Sequence, residues 1–300
     1  MCALLAIAWI KNPFIHDSAV FYERPLQSLI TKAQPLAGIV LWTNNPKNKT
    51  DAISLEFTYM SYNEIVKNKE TYDWSALEKK LDAAASRNHQ LIFRFKYVYP
   101  GFKTSVPDYI KQLSDYKETV GLSEKKKTWF PDWTHKELHR FTLVFYKKLA
   151  EKYDTDERLA YIQVGFGLWG EYHIYDGPCK IGTTFPSKKF QEQFFRNLAN
   201  VFQKTHWMIS IDSHDEKYSS LSKQPYLQKL PFGLFDDSFM HKNHNKYNAW
   251  AWKFFGKKRY MVSPAGGEFS YYTNFDQKNV LNKTGLHGVT FEQAAKKYHI

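Results

Sequence analysis

The chain has 300 residues, of which 43% are hydrophobic, enough for the core of one (β/α) barrel of about 250 residues. Its net charge of +12 comes from lysines spread along the whole sequence, without a zinc-finger, helix-turn-helix or RNP-like pattern, so we do not expect nucleic-acid binding. The two cysteines, Cys2 and Cys179, exclude a disulfide framework, and no apolar run reaches the roughly 20 residues of a membrane span.

The apolar residues 1–10 resemble the hydrophobic part of an export signal, although no basic residues precede them. We therefore predict an export-signal remnant over residues 1–15 and a single barrel domain over residues 16–300. The protein is expected to be exported, as a periplasmic, surface-lipoprotein or extracellular protein, and to be a monomer.

Short apolar runs then alternate with longer amphipathic runs, which is typical of βα units around a parallel sheet. We predict strands over seven runs, namely residues 37–43, 53–59, 90–97, 160–165, 207–211, 232–235 and 259–263.

The amphipathic runs predict helices between these strands. Their apolar faces include Trp74, Leu77 and Leu81 in one helix, and Thr290 with Gln293 forms a capping box at the start of the last. Residues 104–133 are a long segment rich in Pro, Lys and aromatic residues, with a short helix near 107–113. A segment of this kind is typical of a lid or binding loop.

After the last predicted helix, only His299 and Ile300 remain for an eighth strand, which usually needs five or six residues. We therefore predict an α/β fold, a (β/α)8 TIM-type barrel whose eighth strand is missing or cut short. Either the natural protein continues beyond Ile300 or residues 1–10 fill the gap, and we favour the first. Exposed edge strands should then make the chain prone to aggregation, and one further strand should raise its melting temperature.

Barrel enzymes place their working residues at the carboxyl ends of the strands. Residues near these predicted ends are mostly acidic or aromatic, and 17% of the chain is Phe, Trp or Tyr, whose rings can stack on sugars. Glycoside hydrolysis needs two carboxyl groups beside the scissile bond, and this set offers such pairs. The candidate residues are Trp42, Asn44, Glu56, Tyr59, Arg94, Trp169, Glu171, His173, Asp212, Asp236, Asp237, His241 and Glu268.

Two glutamates follow glycine-containing turns, at the fourth and seventh predicted strands. We predict that Glu171, beside the desolvating Trp169, is the general acid/base and that Glu268 is the nucleophile, both facing one cleft. Trp42, Tyr59 and Trp169 are predicted to be sugar-stacking walls. The alternative is that each glutamate only bonds a loop or caps a helix.

Arg94 has two interpretations. It can clamp a carboxylate or sulfate of an anionic sugar, or it can brace the catalytic carboxylates through bidentate pairs. His173 and His241 lack the spacing of a metal motif, so we expect no metal and no cofactor.

Several segments together carry a family resemblance, namely residues 38–42, 72–75, 86–90, 94–95, 106–110, 163–167, 171–174, 232–241 and 266–268. Through them nearly the whole chain resembles a bacterial family of glycosidase-like barrels of unknown function, and more distantly the clan of retaining (β/α)8 glycosidases. This resemblance implies the barrel fold and, by analogy, sugar cleavage by the strand-four and strand-seven acids, Glu171 and Glu268. The chain departs from the clan at Gly170, where the clan has an Asn that contacts the sugar 2-hydroxyl.

The leading hypothesis is thus a retaining glycoside hydrolase acting on a poly- or oligosaccharide, neutral or anionic. Two alternatives stay open. The missing Asn and the short last unit favour a non-catalytic carbohydrate-binding barrel. A polysaccharide lyase would need a Tyr or His base beside an Arg or a metal.

Overall fold

The computed structural model describes residues 33–241, 245–256, 258–270, 273–286 and 288–300. The predicted export segment over residues 1–15 therefore lies outside the described residues.

Seven parallel strands form one sheet, and their order along the sheet is their order in the chain. This order, with helices between the strands, is that of an α/β barrel, and it confirms the predicted fold class. As predicted, the described residues contain no eighth parallel strand. The strands are β1 Val40–Trp42, β2 Leu55–Ser61, β3 Gln90–Lys96, β6 Leu159–Val164, β7 His206–Ser210, β8 Gly233–Phe239 and β9 Ala265–Phe269.

The helices cover the outer face of the sheet. They bury apolar side chains at the spacing that the sequence predicts, as in the longest one, where Leu138, Phe141 and Phe145 are buried. Thr290 and Gln293 form the predicted capping box. The helices are α1 Tyr62–Ile65, α2 Ser75–Ala85, α3 Asp108–Lys111, α4 Lys136–Tyr153, α5 Lys188–Val201, α6 Asn245–Phe255, α7 Asn274–Asn279 and α8 Phe291–Tyr298.

Two apolar clusters lie on opposite faces of the sheet. The larger one packs the outer face against the helices, with Tyr62 stacked 4.3 Å from Tyr97 and 5.0 Å from Phe95. The smaller one, around Leu55 and Met208, fills part of the inner face. Alternation along each strand therefore sends every second side chain of the sheet toward the barrel interior.

The seventh predicted strand was wrong in position. Residues Arg259–Met261 form a 3-10 turn, and the seventh parallel strand is β9. The Arg259 guanidinium donates to the carbonyls of Leu230 and Phe232, which holds this segment as a turn. Two glycines weaken the strand signal of β9, yet a Cβ at Gly267 would lie 2.9 Å from a β8 carbonyl oxygen, so the missing side chain permits the pairing.

The long segment over 104–133 contains the predicted short helix, α3, and a hairpin that the sequence did not predict. The hairpin strands are β4 Thr119–Ser123 and β5 Lys126–Phe130. Both turn residues, Glu124 and Lys125, have positive φ angles, of 51° and 60°. Turns of this kind usually carry Asn or Gly, so the sequence held no turn signal here. In the part of the chain that the structure describes, no helix has the length and apolar character to cross a bilayer.

Candidate active site

Arg94 lies at the centre of the inner face. The strand register places it beside Tyr59 of β2 and Gln163 of β6. Its guanidinium donates to Gln163 Oε1 through Nε at 2.9 Å and Nη2 at 2.6 Å, and its Cζ lies 4.1 Å from the centre of the Phe235 ring. Only 3% of the residue is exposed, so Arg94 is a buried positive charge that requires negative partners.

Two acidic side chains contact the guanidinium. Arg94 Nη1 lies 3.4 Å from Glu171 Oε1, and Nη2 lies 3.0 Å from Asp237 Oδ1. One guanidinium therefore holds an acid from the loop after β6 and an acid from β8. The other Asp237 oxygen, Oδ2, is buried without a hydrogen-bond partner among the described residues.

Glu268, on β9, joins the same group of charges. No hydrogen bond from a described residue engages its carboxyl. Burial first, and then the charge of Asp237, raises the pKa of Glu268 to about 7, while Arg94 opposes the shift. Glu268 also raises the pKa of Tyr59, which lies five strands away in the sheet. The sheet is therefore curled enough to bring its distant strands around one interior.

Glu171 is the most strongly perturbed acid of the group. Burial raises its pKa well above the usual value, Asp237 raises it further, and Arg94 lowers it. Burial likewise raises the pKa of Asp237, against the effect of Arg94. These acids lie close together and are buried beside one guanidinium, so their full ionisation is unfavourable and the protonated form of Glu171 is favoured.

His173 connects Glu171 to a further acid, Asp212. His173 Nδ1 lies 2.5 Å from Asp212 Oδ2, and His173 Nε2 lies 3.5 Å from Glu171 Oε2. Burial alone would lower the pKa of His173, but the effect of Asp212 is larger, so the pKa of His173 is raised. Burial alone would raise the pKa of Asp212, but the effect of His173 is larger, so the pKa of Asp212 is lowered. The two shifts favour an ion pair of His173 and Asp212 beside Glu171.

Glu171, His173 and Asp212 are also the set of described residues that could hold a metal ion, since their ligand atoms lie within 4.8 Å of one another. However, the two ring nitrogens of His173 face different carboxylates. In this structure the three side chains form a chain of contacts in which His173 lies between the two acids.

The glycines before Glu171 are required by the close packing of the loop that carries it. A Cβ at Gly165 would lie 2.2 Å from the Gly170 carbonyl oxygen, and one at Gly167 would lie 1.9 Å from the His173 carbonyl oxygen. Gly170 has a φ of 74°, and a Cβ there would lie 3.0 Å from Arg94 Cδ. An Asn at this position would be strained, because of the positive φ and because its Cβ would also lie 2.9 Å from the Phe95 carbonyl oxygen.

The three predicted stacking residues lie in one aromatic row along the mouth. Trp42 lies 5.4 Å from Tyr59, which lies 6.3 Å from Tyr99. Tyr99 in turn lies 6.5 Å from Trp169, and Trp169 stacks on Tyr175 at 6.1 Å. We name these five residues the aromatic row. Tyr99 and Tyr175 were not predicted.

Four candidates do not join the central acids. Glu56 points to the outer face, where Arg87, His89 and Asn48 donate to it. Asp236 also points outward. Asn44 is exposed in the turn after β1, and His241 lies 3.7 Å from Asp276.

Alternation along β8 explains the position of Asp236. The side chain of Asp237 reaches Arg94, so the preceding residue faces the helices, where Asn248 and Trp252 of α6 donate to it. Burial raises the pKa of Asp236 to about 7. Adjacent acids in one strand lie on opposite faces, which the sequence-based site overlooked.

Sequence reasoning also missed Gln163 and Tyr247. Gln163 holds two nitrogens of Arg94, and the Tyr247 hydroxyl bonds Asp212. A signal for Gln163 was present, since it is the one polar side chain in an apolar strand. No comparable signal marks Tyr247, because it lies in a helix rich in aromatic residues.

The fold and this site define an α/β barrel with an acidic centre at the carboxyl ends of its strands. No family model matches the chain, and no curated protein matches it.

Several solved structures are similar. Endo-glycoceramidase II from Rhodococcus sp. is 9% identical, with 72% of this chain and 64% of that chain covered and a TM-score of 0.41. An intracellular xylanase from Thermoanaerobacterium saccharolyticum is 12% identical, with 79% of this chain and 88% of that chain covered and a TM-score of 0.41. An exo-β-N-acetylglucosaminidase from Vibrio harveyi is 7% identical, with 70% and 36% covered and a TM-score of 0.42. The chain spans 49% of one matched glycoside hydrolase and 64% of the endo-glycoceramidase.

Proposed function

We propose that the protein is a glycoside hydrolase that cleaves a poly- or oligosaccharide, with Glu171 as general acid/base and Glu268 as nucleophile. The observation that carries this proposal is the state of Glu171. It is a buried carboxyl in contact with Arg94, its pKa is raised well above the usual value by burial and by Asp237, and it shares the inner face with Glu268, whose carboxyl accepts no hydrogen bond from a described residue.

Glu171 has the property that the first step requires. A general acid must be protonated at the working pH so that it can donate to the leaving-group oxygen. After the leaving group departs, the ionised Glu171 accepts a proton from water. The Arg94 guanidinium, 3.4 Å away, stabilises the carboxylate in this second state.

Glu268 suits the second role because its carboxyl is free to approach the anomeric carbon. Attack by its carboxylate gives the covalent glycosyl-enzyme of a retaining mechanism, which water then hydrolyses. With a pKa of about 7, part of Glu268 is ionised at neutral pH, and the pKa of Glu171 is raised well above its usual value. The two roles need Glu171 protonated and Glu268 ionised, and both raised pKa values are compatible with this assignment.

The surroundings support a sugar as the substrate. The aromatic row supplies flat apolar faces beside the acids, and Trp42 is 39% exposed and open to a ligand. Arg94 acts as a brace for the catalytic acids, since its nitrogens are occupied by Gln163, Glu171 and Asp237. The apolar residues 1–10 support export as part of the same proposal.

The test is a screen for reducing-end release from a panel of glycans, followed by the same assay on Glu171→Gln. The amide keeps the shape of the side chain but has no transferable proton, so we expect a loss of at least about a hundredfold in kcat. The exposed Glu70→Gln is the matched control and should retain full activity. Full activity of Glu171→Gln on a verified substrate would contradict the proposal. Binding without cleavage across the panel would favour the carbohydrate-binding barrel, and unsaturated products would favour a lyase.

A further inference from the structure

A second feature at the mouth of the barrel is a cavity of about 490 Å³ lined by three lysines, Lys96, Lys103 and Lys126. Ser61, Tyr99 and Phe102 are also part of its wall. We call this cavity the basic pocket. No ion pair with a carboxylate of the described residues engages any of the three ammonium groups.

The basic pocket lies on the same face of the sheet as the acids. Lys96 follows Arg94 by two residues in β3, so its side chain leaves the strand on the same side, about 7 Å nearer the mouth. Ser61 pairs with Lys96 in the neighbouring strand, and Lys96 Nζ donates to Ser61 Oγ at 3.2 Å. The basic pocket is therefore one layer above the acidic centre.

Lys96 is a half-buried cation without a close counter-ion. Burial lowers its pKa, and the more distant Glu64 raises it only in part. Its Nζ also lies 5.2 Å from the centre of the Tyr99 ring, a weaker partner than a carboxylate. Near Lys103, Glu118 has a hydrogen bond with Thr104. The positive charge of the basic pocket is therefore only partly compensated.

The acidic centre is rich in carboxyl groups, whereas the basic pocket is rich in lysines. This difference restricts where a negatively charged substituent can bind. Around Arg94, the acids Glu171, Asp237 and Glu268 outnumber the single guanidinium, which is already occupied. A negative group placed there would find the guanidinium already engaged and would add a charge among acids whose full ionisation is already unfavourable. The basic pocket is the nearby part of the inner face where a negative group meets uncompensated lysines.

The aromatic row joins the two regions. Tyr99 belongs to the wall of the basic pocket and to the aromatic row, 6.3 Å from Tyr59 and 6.5 Å from Trp169. A sugar chain stacked on the aromatic row therefore reaches both regions.

From this arrangement we infer that the basic pocket binds an anionic substituent, a sulfate ester or a carboxylate, on a sugar next to the one that is cleaved. The inference rests on the proposed function for the sugar, and it names the substrate class as an anionic glycan whose reacting residue is uncharged.

The experiment measures binding by calorimetry in the Glu171→Gln background, so that no probe is consumed. The probes are a sulfated galactan tetrasaccharide with its desulfated form, and an oligogalacturonate with its methyl ester. We expect one charged probe to bind about tenfold more tightly than its neutral form, with an affinity that falls as salt is added. The pair that shows the difference identifies sulfate or carboxylate.

Two variants locate the effect. Lys96→Met keeps the apolar stem of the side chain and should lower the affinity for the charged probe about tenfold. Lys126→Met removes a second lysine of the basic pocket, on the exposed hairpin and outside the seven-stranded sheet, and should also lower this affinity. Lys189→Met, an exposed lysine on α5, should change nothing. Equal affinity for charged and neutral probes, no binding, or an equal effect of all three variants would overturn the inference. Charge-selective binding without cleavage by the wild-type protein would sustain the basic pocket and contradict the hydrolase proposal.

Discussion

Both faces of the sheet bury acidic side chains, but the acids on the two faces differ in the hydrogen bonds that they accept. On the outer face, Glu56 receives hydrogen bonds from Arg87, His89 and Asn48, with distances from 2.7 to 3.3 Å. On the inner face, Glu171 has one long contact with Arg94 and one with His173, at 3.4 and 3.5 Å. An acid with a full set of donors stabilises the fold, whereas few donors and acidic neighbours raise the pKa of a buried acid, which is the property on which we base the proposed proton transfer.

The largest effect should follow from removing Glu268. Glu268→Ala deletes the proposed nucleophile, so we expect kcat to fall by more than about a thousandfold on the substrate that the screen identifies. Azide added to this variant should restore part of the rate, because the small anion can occupy the vacated space and attack the anomeric carbon. The product should then be a glycosyl azide, detected by mass spectrometry.

Glu56→Gln is the matched outer-face variant for this experiment. It should show no azide effect, and its folded fraction should retain wild-type kcat, because Glu56 lies away from the cleft. If Glu268→Ala retained its rate, or if azide restored nothing to an inactive variant, Glu268 would not be the nucleophile.

A smaller effect concerns pH and stability. Asp236 and Glu268 have folded-state pKa values raised to about 7, so their favourable contribution is present below the unfolded pKa near 4 and is lost as pH rises toward 7. The raised pKa of His173 acts in the same direction, since its contribution is present below about 6.5 and is lost at higher pH. The lowered pKa of Asp212 acts the other way, but its contribution is complete above about pH 4.

We therefore expect the melting temperature to be highest near pH 5 and to decrease toward pH 8. The shift of Asp236 alone corresponds to about 4 kcal/mol on the scale of 1.36 kcal/mol per pKa unit. Thermal unfolding followed by circular dichroism from pH 4 to 9 measures this trend. A melting temperature that is constant or rises between pH 5 and 8 would contradict the raised pKa values of these acids.

The sequence predicted more of the fold than of the site. Six of the seven parallel strands were predicted near their observed positions, because their runs are rich in apolar and aromatic residues. Strand β9 was misplaced because its two glycines, Gly266 and Gly267, leave it without the apolar pattern of a strand. For the site, position near a strand end identified Arg94 and Glu171 but could not separate Asp236 from Asp237, since the face that a residue occupies depends on the strand register.

The remaining features depend on contacts between distant segments. Arg94 on β3 donates hydrogen bonds to Gln163 on β6 and to Asp237 on β8. These two contacts favour the interpretation of Arg94 as a brace over that of a clamp, a choice that the sequence left open. The basic pocket brings Lys96 near the β4–β5 hairpin, which the sequence did not predict.

The central claim, that the inner-face acids perform the chemistry and the outer-face acids hold the fold, is tested most directly at two adjacent residues. The measurement is kcat/KM, with the free energy of unfolding, for Asp236→Ala and Asp237→Ala. Asp236→Ala should lower the free energy of unfolding by about 1–3 kcal/mol, because Asn248 and Trp252 lose their acceptor, and should leave kcat/KM of the folded protein within about twofold. Asp237→Ala should lower kcat/KM by at least about tenfold, because it removes a charge that raises the pKa of Glu171 and a partner of Arg94. The reverse pattern, with Asp236→Ala inactive and Asp237→Ala fully active, would contradict the account.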